Sequence, residues 1–276
     1  MTALSADEVL DRLHKLGQAG DDELPLAETA LLLANLDRTG LDLTPYRAHL
    51  DRLVHDAREA LAALRRGMSA SDAAARVLVD VIGQRHGYMG DAASYDDPRN
   101  ADLAQVIDRK RGLPVALGIL YLDVAAALGV TAAGLNTQGH FLLLIGDEEH
   151  GRILDPFNGV VLDARELRMA APPPAAPIDY APVSRRDVLL RLLNNLHARA
   201  QAAKDSARTL TITERMVLIA PRRADLWLEL SKASEAVGKL NGAIRAAQSC
   251  IALSDAESMT GREAAFAVHR LKRKVN

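Results

Sequence analysis

The 276-residue sequence predicts an α+β fold that is predominantly helical, and three features support this class. Apolar residues recur at helical spacing through residues 1–90 and again after residue 184. Between these regions, residues 134–157 contain short apolar stretches joined by a polar turn, a pattern typical of a β-hairpin. A helix in the middle of the chain is apolar on every side, so we expect it to be buried against a small antiparallel sheet.

The N-terminal region, residues 1–90, is predicted to consist of helices. Ser5 and Glu8 form a capping box at the start of the first helix. Thr44 and Pro45 mark the start of a long helix, because a cap residue followed by proline suits the first turn. A further helix over 72–86 is expected to end at Gly87.

The middle region, residues 91–169, is predicted to contain two helices before its strands. Asn100 is the expected N-cap of a short helix that ends at Gly112. The basic run 109–111 before that glycine is interpreted as a solvated helix end, with anion binding as the alternative. Pro114 then opens the apolar helix, which runs to Gly129 and whose only charge is Asp123.

Two predicted strands carry the most informative pair of residues. Residues 135–145 are interpreted as one strand that contains His140, and 152–157 as a second strand that contains Asp155. Strands joined by a tight turn usually pair antiparallel, so the two residues are expected to lie side by side and form a hydrogen bond. An acid beside a histidine fixes its tautomer, as in the second half of a nucleophile–His–Asp triad. A third strand is expected at 160–162.

Further polar residues surround this pair. Asn136 and Gln138 alternate with His140 along the predicted single strand, so all three are expected to share one face and point at the apolar helix. With Gly139 and Asn158 they are candidate ligand-binding residues, because convergent polar groups at an apolar surface favour a cleft.

The C-terminal region begins after a linker over 170–183 that is rich in proline and alanine. Residues 184–276 are predicted to form helices at about 187–203, 207–219, 224–237 and 240–253, followed by a last helix from Thr260. Cys250 lies in this region and is expected to be a buried small apolar residue.

Taken together, the segments around 95–165 resemble the transglutaminase-like domain of the bacterial SirB-type family. The sequence GHF at 139–141 and the sequence DPFNG at 155–159 carry the resemblance. The resemblance implies a papain-like core, with a buried helix on an antiparallel sheet and with His140 and Asp155 on neighbouring strands. It also implies tetratricopeptide (TPR) helices in the C-terminal region, where Trp227 and Gly238 fall at TPR-like positions.

The resemblance implies a nucleophilic cysteine at the first turn of the buried helix, and this sequence departs from that pattern. A helix N-terminus lowers the pKa of a thiol and stabilises an oxyanion, which is why the position matters. Here the position falls at or beside Pro114, and no Cys, Ser or Thr lies between Asn100 and Thr131. His140 and Asp155 are therefore interpreted as the remnant of a triad.

Composition limits the classes of function. The net charge of −2, with acids and bases interspersed, argues against a nucleic-acid partner and against a membrane partner. A single cysteine excludes an intrachain disulfide and fits a cytoplasmic protein. The histidines lack metal-ligand spacing, so we expect no metal site and no cofactor.

The residues leave several functions open. We expect a non-catalytic binding, scaffold or regulatory protein that holds a protein or peptide partner through the cleft or the TPR-like helices. The alternative is a hydrolase or deamidase of peptides or amides in which His140 and Asp155 activate water. A regulator that acts only through its TPR groove is a third interpretation, and a purely structural His140–Asp155 pair is a fourth.

Overall fold

The computed structural model describes residues 4–64, 67–137, 140–162, 181–255 and 257–275, without the side chains of residues 136 and 137. Its α-helices are α1 (Ala6–Gln18), α2 (Leu26–Asp37), α3 (Thr44–Ala63), α4 (Ala70–Leu78), α5 (Leu103–Arg109), α6 (Pro114–Ala127), α7 (Arg185–Ala202), α8 (Ser206–Ile219), α9 (Ala224–Ala236), α10 (Leu240–Leu253) and α11 (Met259–Val275). Its strands are β1 (Met89–Gly90), β2 (Arg111–Gly112), β3 (Ala132–Thr137), β4 (His140–Ile145), β5 (Arg152–Asp155), β6 (Val160–Leu162) and β7 (Pro182–Val183).

The predicted class is confirmed: the protein is mainly helical and has a small antiparallel sheet. In the described residues, that sheet has the strand order β6-β5-β4-β3-β7, and β1 and β2 form a separate parallel pair. The third predicted strand is present as β6, which pairs antiparallel with β5.

Helix α6 is the centre of the sheet-bearing unit, as its composition predicts. Ten of its residues are buried, and the helix begins at Pro114. Asp123 is its single charged residue, and its carboxylate accepts a hydrogen bond from the Ala27 amide at 3.3 Å. Burial raises the pKa of Asp123 above its usual value, because the charged form loses solvation. The helix therefore buries apolar surface on every side. It also buries one carboxylate, whose lost solvation is offset in part by the hydrogen bond from Ala27.

Contacts divide the chain into two compact units, Met1–Val9 with Asp21–Leu192, and Leu10–Gly20 with Leu193–Asn276. The domain boundaries placed from the sequence at residues 90, 169 and 183 remain predictions. Most of the proline-rich linker, residues 163–180, lies outside the described residues. Within those residues, no helix combines the length and the apolar character needed to cross a membrane.

Several predicted helix ends are confirmed and others need correction. Ser5 and Glu8 form the predicted capping box, with the Ser5 amide donating to Glu8 at 2.8 Å. The cap of α5 is Asp102, whose carboxylate accepts from the Gln105 amide at 3.0 Å, and not Asn100. Asn100 is fully buried, and its side chain donates to the Ser94 carbonyl at 2.7 Å instead.

The basic run after α5 is not a solvated helix end. The Arg109 guanidinium donates to Asp91 at 2.8 Å and to Asn100 at 3.0 Å. Lys110 ends the helix in the left-handed conformation, with φ at 57°, so the helix stops two residues before Gly112. The sequence predicted solvation because three adjacent cations rarely all find partners. Here the 91–100 loop supplies two partners for Arg109, namely Asp91 and Asn100.

The predicted single strand over 135–145 is wrong, because this segment is two strands. β3 and β4 pair antiparallel, with Thr137 opposite His140 and Asn136 opposite Phe141. The candidate residues Gln138 and Gly139 connect these strands and lie outside the described residues. Asn136 and His140 therefore do not alternate along one strand, and the shared polar face expected from the sequence does not form in that way.

The second unit is built from adjacent helices that pack in sequence order. α9 packs on both α8 and α10, and α10 packs on α11. The helix bounds agree with the predicted ones to within two residues. The last helix begins at Met259, one residue before the predicted start at Thr260, and Ser258 caps it by accepting from the Gly261 amide at 3.1 Å.

Candidate functional site

The start of α6 is the position where the sequence predicts a missing nucleophile. Pro114 is the first helical residue, and the preceding Leu113 provides no side-chain cap. Leu113, Val115 and Ala116 are all buried and apolar. No side chain in this first turn has the thiol or hydroxyl that covalent acyl transfer requires.

The sheet packs on α6 through alternate residues of β4. A methyl group on Gly118 would lie 2.5 Å from the Phe141 ring and 3.5 Å from Leu143, so the absence of a side chain at 118 lets the two elements approach closely. Leu142 and Leu144 instead pack with Leu135, on the other face. His140 occupies the same alternating set as Leu142, and it is exposed. Phe141 and Leu143 face the helix, so His140, which alternates with them, does not, contrary to the expectation.

The strand register relates His140 to Asp155. Leu143 pairs with Leu154, and continuing this register places Leu142 opposite Asp155. His140 is then a diagonal neighbour of Asp155 on the same face, a relation that puts Cα atoms about 7–8 Å apart. The predicted side-chain hydrogen bond between the two residues remains a prediction.

Asp155 organises the turn that follows β5. One carboxylate oxygen accepts from the Phe157 amide at 2.8 Å and from the Asn158 amide at 3.2 Å. The other accepts from the Asn158 side chain at 2.6 Å. Gly159 then adopts a positive φ of 63°, which favours glycine. The DPFNG sequence is therefore a turn held by its own acid, and the candidate Asn158 belongs to that turn.

Arg191 and Tyr95 join this site, and the sequence analysis missed both. The Arg191 guanidinium donates to the His140 carbonyl oxygen at 2.8 Å and lies 5.5 Å from the Phe141 ring centroid. Burial lowers the pKa of Arg191, and interaction with Tyr95 opposes that change. The Tyr95 ring lies 6.0 Å from the Phe157 ring. Arg191 follows the linker and Tyr95 lies in the 91–97 loop, so no local pattern connects them to His140.

These residues form a group at one end of the sheet, where β4 begins and β5 ends. We call it the His140 surface, and it consists of His140, Arg191, Tyr95, Phe157, Asp155 and Asn158. Three of its members, His140, Tyr95 and Asn158, are exposed. It combines aromatic rings, a guanidinium and an imidazole, a composition typical of surfaces that bind peptides.

Beneath this surface, Tyr121 of α6 is fully buried. Its hydroxyl lies near Gly83 and Gly159, at 3.5 and 3.8 Å from the methyl positions those glycines lack. Within the described residues it has no hydrogen-bond partner. Burial, and then the charge of Asp155, raises the pKa of Tyr121, so the phenol stays protonated.

Residues that could hold a metal lie elsewhere. In the part of the chain that the structure describes, His55, Asp56 and Glu59 of α3 form a group whose ligand atoms lie within 4.8 Å of one another. The His55 and Glu59 side chains are 66% and 70% exposed, as is usual for an i,i+4 pair on a solvated helix. This group shares no residue with the His140 surface.

Comparison with known proteins gives the family context. A model of the transglutaminase-like superfamily matches residues 44–194. A UPF0162 protein of Xylella fastidiosa (strain Temecula1) is 32% identical over 241 residues, 84% of each chain. A UPF0162 protein of Vibrio cholerae is 32% identical over 148 residues, 53% of each chain. Human F-box only protein 21 is 34% identical over 77 residues, 28% of this chain and 12% of that protein.

Among solved structures, one of menin aligns over 98% of this chain and 76% of the menin chain. The sequence identity is 12% and the TM-score is 0.41, a likeness too weak to support an argument.

Proposed function

This chain belongs to the transglutaminase-like superfamily, and from that premise we propose that it is a non-catalytic binding protein that holds a peptide segment on the His140 surface. The observation that carries the proposal is Pro114 at the first position of α6. Acyl transfer by this family's mechanism needs a nucleophile there, and proline supplies neither a thiol nor a hydroxyl.

Asp155 has a structural role in its own turn. Its carboxylate accepts three hydrogen bonds there, two from backbone amides and one from the Asn158 side chain. These bonds hold Phe157 and Asn158 in place within the His140 surface, as a binding surface requires. The carboxylate keeps acceptor capacity for an imidazole donor, so a turnover measurement distinguishes binding from water activation.

The chemistry of the His140 surface suits an extended peptide. Tyr95 and Phe157 offer aromatic faces, and the Arg191 guanidinium is placed against the His140 backbone. Tyrosine and arginine are enriched among residues that dominate binding free energies. The exposed imidazole of His140 adds a donor or acceptor that fixes orientation.

The C-terminal helices support a second binding element. We infer that α8 to α11 form a TPR-like array, because adjacent helices pack in order and small residues line the crossings. Ala243 and Ala247 of α10 are fully buried, and the Ser231 hydroxyl of α9 donates to the Ala243 carbonyl at 2.8 Å. The Trp227 indole donates to the Pro221 carbonyl at 2.8 Å and secures the start of α9. Such arrays present extended surfaces for partner segments.

The test is a peptide-binding screen that also measures turnover. Wild-type protein is screened against an immobilised peptide library, and the selected peptides are assayed for cleavage, deamidation and affinity. We expect His140→Ala to weaken binding about tenfold, which corresponds to about 1.4 kcal/mol. The melting temperature should stay near the wild-type value, since His140 is exposed.

His150→Ala is the matched control, because His150 is 71% exposed in the turn before β5 and lies outside the His140 surface. Peptide turnover by wild-type protein that His140→Ala abolishes would establish the hydrolase or deamidase instead. No binding by wild-type protein, with a drop in melting temperature for His140→Ala, would reject the proposal in favour of a structural role.

A further inference from the structure

A second group of reactive side chains lies on the same unit but away from the His140 surface. The Lys110 ammonium nitrogen, Nζ, is 3.0 Å from the Tyr88 hydroxyl and 3.1 Å from Nε2 of His49. The Tyr88 hydroxyl is itself 2.8 Å from the same His49 nitrogen. An amine, a phenol and an imidazole thus form a closed triangle of hydrogen-bond distances. Three separate elements supply them: the end of α5, the segment before β1, and α3.

The triangle continues outward to solvent. The His49 and His86 rings meet edge to face, with centroids 5.6 Å apart. Nε2 of His86 lies 2.7 Å from the Asp56 carboxylate, whose side chain is 30% exposed. Tyr88 is only 1% exposed, so the group extends from a buried phenol to a partly exposed acid.

The donors and acceptors of the three hydrogen bonds follow from the chemistry of the side chains. Lysine only donates, so Lys110 donates to Tyr88, to His49 or to both. Tyr88 then donates its own proton to Nε2 of His49, which must be unprotonated to accept it. Burial lowers the pKa of His49 to about 4, and the charges of Lys110 and His86 act in the same direction. His49 is therefore a neutral base directly beside the amine.

Burial also lowers the pKa of Lys110, although the charge of Asp108 opposes this. Nucleophilic lysines are those whose neutral form is favoured by desolvation and that lie within hydrogen-bond reach of a base. Lys110 meets both conditions while staying partly accessible to solvent.

We propose that Lys110 is a nucleophilic amine that forms an imine with small aldehydes or ketones, with His49 as base and Tyr88 holding the amine and the imidazole in position. The neutral amine attacks the carbonyl carbon and forms a C–N bond, and His49 carries one proton from the nitrogen to the carbonyl oxygen, which becomes a hydroxyl. The nitrogen lone pair then forms the C=N bond as the C–O bond breaks. His49 carries the second nitrogen proton to the departing hydroxide, which leaves as water. The sum is amine plus carbonyl compound giving imine plus water.

A carbonyl compound fits this group better than a metal ion or a simple anion. The Lys110 ammonium next to His49 repels a cation at the only ring nitrogen that faces the triangle. Asp56 and Asp108 interact with members of the group and disfavour an anion. Imine formation instead uses what is present, a neutral base within hydrogen-bond distance of the amine.

The test is reductive trapping on the full-length protein. Wild-type protein is exposed briefly to glyceraldehyde with sodium cyanoborohydride at neutral pH, and the alkylation rate of each lysine is measured by peptide mass spectrometry. Lys15 is the internal reference, because its side chain is 73% exposed and paired only with Asp11 in the described residues. We expect Lys110 to be alkylated several-fold faster than Lys15, with a rate that levels off at lower pH.

Three variants separate nucleophilic chemistry from simple exposure. His49→Gln and Tyr88→Phe should each reduce the Lys110 rate to that of Lys15 or below, while the Lys15 rate stays constant. His55→Gln, an exposed position on the same helix, should change neither rate. If His49→Gln unfolds the protein, Tyr88→Phe and the wild-type pH profile decide. Trapping at Lys110 no faster than at Lys15, or insensitive to both variants, would overturn the proposal.

Discussion

His49 shows how a single buried base makes stability depend on pH. Its pKa is lowered to about 4 in the folded protein by burial, then by Lys110, His86 and Arg52, while Asp56 opposes. The unfolded chain takes up the proton near the ordinary value of 6.5. Between these two pKa values the unfolded state binds more protons than the folded state. The free energy of unfolding is therefore unaffected by His49 above pH 6.5, and it decreases as the pH falls from 6.5 towards 4.

We therefore expect the free energy of unfolding to fall by on the order of 1 kcal/mol between pH 6.5 and 4, since the partly solvated ring gives less than the full linkage value. His49→Gln should flatten this slope in denaturant melts at a series of pH values. His55→Gln is the control, because His55 is 66% exposed. An unchanged slope in His49→Gln would assign the acid sensitivity to other groups.

Residue identity alone predicted two features correctly. The apolar helix begins at Pro114, and Cys250 is buried. The role of Asp155 in its own turn was not predicted, because the same residue also fits the resemblance to a triad. Arg191 and Tyr95 were missed, since the hydrogen bond of Arg191 to His140 and the interaction of Arg191 with Tyr95 exist only after the chain folds.

At the scale of elements, α6 was the most predictable part of the fold. A helix that is apolar on all sides has no stable alternative to burial, and Leu120 is fully buried. Leu120→Ala should lower the free energy of unfolding of this unit by about 2–5 kcal/mol, through lost burial and the cavity left behind.

Denaturant melts measure this loss, and Leu253→Ala is the matched control because Leu253 is 43% exposed. We expect the control to change stability by less than about 0.5 kcal/mol. A similarly small effect of Leu120→Ala would contradict the role of α6 as the centre of the unit.

The hairpin of β3 and β4 was the least predictable element. Alternation along 135–145 is compatible with one long strand or with two strands and a tight turn, because both keep a period of two. The pairing of Thr137 with His140 decides between them. Because β3 and β4 are separate strands, alternation along 135–145 does not continue from Asn136 to His140, and the expected shared polar face was placed on that alternation.

At the scale of the whole molecule, the single thiol provides a probe of the second unit. Cys250 is fully buried in a cluster with Leu228, Ala247 and Ala264. Burial raises the pKa of Cys250, which further reduces the reactive thiolate. Alkylation of native protein should therefore be slow and should accelerate only as this unit opens.

The measurement is the rate of maleimide labelling across a urea series, compared with the unfolding transition followed by circular dichroism. We expect the labelling rate to rise with the unfolded fraction of the second unit. Cys250→Ser should leave peptide binding at the His140 surface unchanged. Rapid labelling in the absence of urea would show that the α10–α11 packing opens readily.

Pro114 has an effect beyond the missing thiol. Proline has no amide hydrogen, so the first turn of α6 has one donor fewer than any other residue at that position would leave it. An oxyanion formed near this helix end would lose a hydrogen bond as well as an attacking group. Under the proposed binding function, Pro114 accounts for two losses, the attacking group and part of the charge stabilisation that attack requires. We therefore expect this apolar helix end to favour a neutral peptide bond over the tetrahedral anion that forms when a nucleophile attacks that bond.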